Sequence, residues 1–174
     1  MHGRRDEFRQ VALPHLGELV RVATRVLRDR HAAEDVVQET YLQAWRSFGT
    51  FQTGTNCRAW LYTIMFRVIG RARRKAQQVP QVDLDHAPSS ALLVETPPVD
   101  SLARDHLLAA VDGLPDAYRA VLLLADVEQL KYREIADVLD VPLGTVMSRL
   151  SRARDQLRHA VAERTTPRVV SIRS

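Results

Sequence analysis

The sequence predicts an all-α protein made of two small helical domains joined by an irregular linker. Three observations carry that expectation. Apolar residues recur at three- and four-residue intervals in both the first and the last third of the chain, which is the spacing of amphipathic helices. The stretch between them lacks that periodicity and holds four of the eight prolines, Pro80, Pro88, Pro97 and Pro98. Charge divides at the same places: residues 1–76 carry a net +7, residues 77–103 a net −4 with no basic side chain, and residues 104–174 a net +1. The expected organisation is a helical domain over 1–76, an acidic linker over 77–103, a second helical domain over 104–163 and a tail over 164–174.

The first domain reads as helix throughout. One apolar stripe runs from Phe8 through Val11, Leu19, Ala23 and Val26 to Leu27, which predicts a single long helix. Asp29 is placed to cap a second helix whose stripe is Ala33, Val36, Val37, Thr40, Tyr41, Ala44, Trp45 and Phe48. Turn formers from Phe51 to Asn56 break the pattern. A third helix follows, with Ala59, Trp60, Ile64, Met65, Val68 and Ile69 inward. It ends in Arg67, Arg71, Arg73, Arg74 and Lys75, with no acidic residue between positions 67 and 75.

In the second domain, Asp100 or Ser101 can start a helix that Gly113 closes, and Pro115 suits the opening of the next. Two further segments, Tyr132–Leu139 and Leu143–Arg158, flank Asp140-Val141-Pro142. Ile135, Ala136 and Leu139 form an inner face on the first; Val146, Leu150, Ala153 and Leu157 form one on the second. That is the pattern of a helix-turn-helix. It sends Thr145, Met147, Ser148, Ser151 and Arg152 outward, where hydroxyls and a forked guanidinium suit base edges and phosphates.

Composition excludes other classes. The chain has 174 residues, 25 Lys plus Arg against 21 Asp plus Glu, and one cysteine, Cys57, so an internal disulfide or a multi-cysteine metal site is excluded. The longest apolar run, Ala120 to Ala125, is far too short for membrane insertion, and the amino terminus lacks a signal peptide's apolar stretch, so the expected location is cytoplasmic. The six histidines are scattered without metal spacing, and no phosphate-cradling glycine loop or Ser-His-Asp grouping is visible. Neither a cofactor nor catalysis by this chain is expected.

Three strings then carry a family resemblance. Ala33-Glu-Asp-Val-Val-Gln-Glu-Thr-Tyr-Leu-Gln-Ala-Trp-Arg-Ser-Phe48 resembles the core-polymerase-binding segment of bacterial RNA polymerase sigma factors of the sigma-70 family. Gly54-Thr-Asn-Cys-Arg-Ala-Trp-Leu-Tyr-Thr-Ile-Met65 resembles the −10-reading segment of the extracytoplasmic-function (ECF) group, and Gly144-Thr-Val-Met-Ser-Arg-Leu-Ser-Arg-Ala-Arg154 resembles its −35-reading helix. The resemblance covers about residues 5–76 and 104–163 and implies sigma region 2 and sigma region 4, which recruit core polymerase to a promoter.

The resemblance implies roles for named residues. Asp35, Gln38, Glu39, Leu42 and Arg46 would dock on the polymerase β′ subunit, within a partner that also includes β. Phe51, Gly54 and Asn56 would receive an unstacked base of the −10 element, with Arg67, Arg71, Arg73, Arg74 and Lys75 along its phosphates. Thr145, Met147, Ser148, Arg149, Ser151 and Arg152 would read the −35 element. Promoter DNA and an anti-sigma factor are the other implied partners, and the ECF group's link to stress response is implied with them.

The chain departs from the family at Arg67, where Asn is common, and at Phe66, where a polar residue is frequent, so it stays open whether Arg67 reads a base or only phosphate. Lys131 stands where a Ser usually opens the helix-turn-helix, three residues before Glu134, which removes half of a capping box. Trp60 and Tyr62 are expected in the core, and Cys57 is expected to be a passive small residue. A linker of this length reaches about 90 Å extended, enough for promoter elements about 70 Å apart. It also permits the two domains to close on each other in solution. The remaining alternative is a stand-alone helix-turn-helix regulator, which would leave the 33–48 string unexplained.

Overall fold

The computed structural model describes residues 2–52, 54–78 and 99–165, and among these there is no strand. Helices α1 (His2–Ala12) and α2 (Leu16–Leu27) replace the single long helix expected from the stripe. Pro14 lacks the N–H that a continuous helix needs, and Leu13–His15 tighten into a 3-10 turn. α2 ends at Arg28, which takes a left-handed conformation at φ 57°.

Asp29 then caps α3 (Arg30–Ser47), accepting from the Ala32 N–H at 3.0 Å. α3 buries Ala33, Val36, Val37, Thr40 and Ala44 between α2 and α4 (Cys57–Gln78). The Thr40 hydroxyl is satisfied inside by the Val36 carbonyl at 2.7 Å. Tyr41 donates to the Ala12 carbonyl at 2.8 Å, tying α3 to the end of α1. α4 contributes Leu61, Tyr62 and Met65, all fully buried, so Tyr62 lies in the core.

α4 continues to Gln78 and α5 (Val99–Gly113) has begun by Val99, while residues 79–98 and the tail from 166 lie outside the described residues. α6 (Asp116–Leu122) starts after Pro115 and widens into a π turn over Leu123–Val127, where the Glu128 N–H donates to the Leu123 carbonyl. α7 (Tyr132–Leu139) and α8 (Leu143–Thr165) form the helix-turn-helix. Asp140, left-handed at φ 52°, reverses the chain between them, and the Val141 N–H closes on the Ala136 carbonyl at 3.1 Å. Ile135, Val146, Leu150 and Ala153 are buried at their crossing; Val138, outside the expected inner face, is buried too.

The Lys131 ammonium has no lone pair with which to accept an N–H. Only the returning half of the capping box forms, the Lys131 N–H donating to Glu134 Oε2 at 2.8 Å. The two bundles pack against each other through α4 on α7 and α2 on α6.

Replacing Leu150, 2% exposed, with Ala removes the α7–α8 contact at its centre. Urea unfolding of that variant should show a loss of about 2–5 kcal/mol, and an unchanged midpoint would mean that the crossing is not packed as described.

Candidate nucleic-acid interface

With Val146, Leu150 and Ala153 turned inward, the opposite face of α8 is free. Met147 is 53% exposed, Ser148, Ser151 and Arg152 are exposed, and Thr145 and Arg149 are half-buried at its edge. Neither Arg149 nor Arg152 has a carboxylate partner among the described residues. Arg154, one turn on, is different: Asp126 grips it bidentately at 2.5 and 3.1 Å and pushes its guanidinium pKa up. That pair ties α8 to the π turn and leaves Arg152, with Arg149 at the edge, as the unpaired cations of the outer face.

The loop before α4 is organised by Asn56. Its side-chain oxygen accepts from the Ala59 N–H at 3.1 Å, capping α4, while its amide nitrogen donates to Glu134 Oε1 of α7 at 2.7 Å. Gly54 sits at φ 94°, a conformation that other residues rarely adopt, and nothing crowds it. Phe51 is half-buried, stacked on Phe48 at 5.8 Å and leaning on Trp60 at 4.8 Å. Trp60 is half-buried rather than sealed in the core.

Along α4 the cations separate into two kinds. Arg67, Arg74 and Lys75 are exposed without a carboxylate partner among the described residues. Arg71 donates to Gln43 Oε1 at 2.7 Å, and Gln43 donates to Glu39 Oε1 at 2.6 Å, which links the basic helix to α3. Arg73 pairs with Asp116 of α6 at 2.7 Å.

On α3, Asp35, Gln38, Leu42 and Arg46 are exposed and Glu39 is half-buried. Gln38 and Leu42, with Glu34, border an apolar groove of about 470 Å³ between α1, α2 and α3, floored by Phe8, Val37 and Tyr41 and edged by Leu13, Leu16 and Trp45. Trp45 is 40% exposed, set edge-on to Phe8 at 5.3 Å with the Arg4 guanidinium 5.5 Å from its ring. A polar-rimmed apolar groove of this kind fits a protein partner.

Comparison with known proteins settles the family. Residues 12–79 match the family described as Sigma-70 region 2, and residues 104–157 match Sigma-70, region 4. The chain is 38% identical over 172 residues to the ECF RNA polymerase sigma factor SigE of Mycolicibacterium smegmatis, covering 90% of this chain and 65% of that relative, less than two thirds of its length. It is 30% identical over 174 residues to the RNA polymerase sigma-H factor of Pseudomonas aeruginosa, covering 91% of this chain and 88% of the relative. The chain belongs to the ECF group of the sigma-70 family. Among solved structures, the sigma factor RpoE of Bartonella quintana, determined in complex with the anti-sigma factor NepR, is similar at a TM-score of 0.63 and 26% identity, covering 90% of this chain and 97% of that one.

In this family member, sequence reasoning missed a set of residues between the bundles. Arg119 is fully buried, donating to the carbonyls of Arg25 at 3.0 Å and Leu114 at 2.9 Å and to Asp116 at 2.5 Å. Burial, then the nearby Arg28 charge, lowers its pKa. Glu128, 3% exposed, lies 3.8 Å from Arg58. Beside it the Tyr62 hydroxyl is buried without a well-formed hydrogen bond, and burial, reinforced by the Glu128 charge, pushes its pKa up. The available signal was an Arg on the otherwise apolar face of α6 and a Glu just after the π turn that continues it.

Cys57 begins α4 and is buried, which pushes its thiol up to about 11. At pH 8 only about one thiol in a thousand is then ionised. Iodoacetamide at pH 8 should therefore label the native chain far more slowly than the urea-unfolded chain; equal rates would contradict the burial.

Proposed function

We propose that this sigma factor binds core RNA polymerase through the β and β′ subunits and directs promoter-specific initiation. In this reading residues 1–76 hold the −10 element and the polymerase, and residues 104–163 hold the −35 element. The observation that carries it is the outer face of α8, a helix-turn-helix recognition helix whose hydroxyls and Arg152 are exposed and held in register by a packed inner face. Bases are read there through Arg152, with Ser148 and Ser151 beside it on phosphate or base edges.

Strand opening falls to the loop at Phe51–Asn56, where Phe51, tilted against Trp60 of α4, supplies an aromatic surface for an unstacked base. Arg67, Arg71, Arg73, Arg74 and Lys75 follow the phosphates. Asp35, Gln38, Glu39, Leu42 and Arg46, with the groove beside them, form the polymerase-binding surface. Polymer synthesis belongs to the partner, so the chain is an initiation subunit and not itself an enzyme. The similar sigma factor solved with an anti-sigma factor supports control of this chain by an anti-sigma factor as well. No helix among the described residues is long and apolar enough to cross a membrane, which is compatible with action in the cytoplasm.

Run-off transcription with core polymerase tests the reading: promoter-dependent transcript should require both the chain and core, whereas a free-standing repressor would yield none. Arg152→Ala should weaken −35 discrimination by about 1–3 kcal/mol, measured as the affinity ratio between the promoter and a scrambled −35 sequence. Equal loss on both DNAs would remove Arg152 from base reading.

A further inference from the structure

The cations of the proposed −10 surface are held in different ways. Arg73 is paired with the Asp116 carboxylate at 2.7 Å, and Arg67, Arg74 and Lys75 are exposed without a carboxylate partner among the described residues. Arg71 follows neither pattern. Its guanidinium donates to the side-chain oxygen of Gln43 on α3 at 2.7 Å, and the Gln43 amide nitrogen donates to Glu39 Oε1 at 2.6 Å. Glu39 and Gln43 stand one turn apart on α3, both half-buried, while Arg71 is exposed on α4. Gln43 belongs neither to the polymerase-binding set nor to the −10 set.

A carboxylate can only accept, so Glu39 obliges Gln43 to turn its NH2 group toward it and its oxygen toward Arg71. The neutral amide oxygen orients the guanidinium but leaves its charge whole, which a carboxylate partner would offset. A phosphate contact gains from that combination, because the long side chain is restricted before DNA arrives and still attracts it in full. We propose that Gln43 is a positioning residue for promoter binding: it passes the orientation imposed by Glu39 to Arg71 and presents that guanidinium, still fully charged, to a DNA phosphate. This inference rests on the promoter reading above. It makes Glu39, on the proposed polymerase-binding face, act on DNA through two hydrogen bonds. Without the Glu39 carboxylate, the Gln43 amide is free to rotate and to turn its NH2 group on the cation it now holds.

The full-length chain, saturated with core polymerase, is titrated against a fluorescein-labelled promoter fragment chosen from mapped transcript starts and left unpaired across its −10 element. Gln43→Leu should bind about three- to tenfold more weakly, the loss expected of one hydrogen bond, with an unchanged salt slope because Arg71 keeps its charge. Gln43→Glu should bind more weakly still, with a slope shallower by about one, because a carboxylate offsets the charge that Gln43 leaves whole. Glu39→Ala, with core raised until the complex is saturated, should lose about as much as Gln43→Leu. In an Arg71→Ala background, neither Gln43→Leu nor Glu39→Ala should weaken binding further. That dependence on Arg71 separates positioning from a general loosening of the fold. Should Gln43→Leu lose its helical circular dichroism, Gln43→Met carries the same expectation.

Native affinity in the folded Gln43→Leu variant, or losses that persist undiminished without Arg71, would overturn the relay while leaving the promoter reading in place. A native chain that adds nothing to the promoter binding of core alone sinks the promoter reading instead.

Discussion

Each helix of this chain has one apolar face to bury, and that constraint decides where recognition can occur. α3 spends Ala33, Val36, Val37 and Ala44 on its neighbours, which leaves Asp35, Gln38, Leu42 and Arg46 outside. α8 spends Val146, Leu150 and Ala153 on α7 and turns Met147, Ser148, Ser151 and Arg152 outward. In both cases the buried stripe fixes the rotation of the helix about its axis, and the polar chemistry is aimed as a consequence. Recognition surfaces held this way need no loop rearrangement to be presented.

A second consequence concerns charge. A surface built to hold a polyanion attracts any carboxylate that can reach it, and a tethered second domain can reach it. The residues at 112, 116, 128 and 134 are all acidic and all meet the first bundle, while Arg152 on the outer face of α8 stays exposed. Arg119 is the fixed point of that contact, because its buried guanidinium donates to the Arg25 carbonyl across it and would lose that acceptor if the bundles parted.

Local patterns made much of this legible in the sequence. The three-and-four spacing located α3, α4, α7 and α8, the Asp29 cap marked the start of α3, and the turn at Asp140-Val141-Pro142 marked the helix-turn-helix. Pro14 broke the first helix because an apolar stripe records facing and not hydrogen-bond continuity. Trp45 lies on the stripe yet stays 40% exposed, since the stripe is wider than the surface its neighbours cover. The pairs between bundles were not legible: Asn56 and Glu134 are 78 residues apart, and nothing in either neighbourhood points to the other. Glu134 carries two duties at once, closing the start of α7 and holding Asn56, and only the first has a local signature.

The account stands on cooperation between the chain and a larger polymerase. Its most direct test is a fluorescence-anisotropy titration of a promoter, defined by mapping transcript starts after overexpression, with the purified chain in the presence and absence of core polymerase. Tight, sequence-selective binding with core and weak binding without it is the predicted result. Equally tight promoter binding by the chain alone, with no association between chain and core, would contradict it.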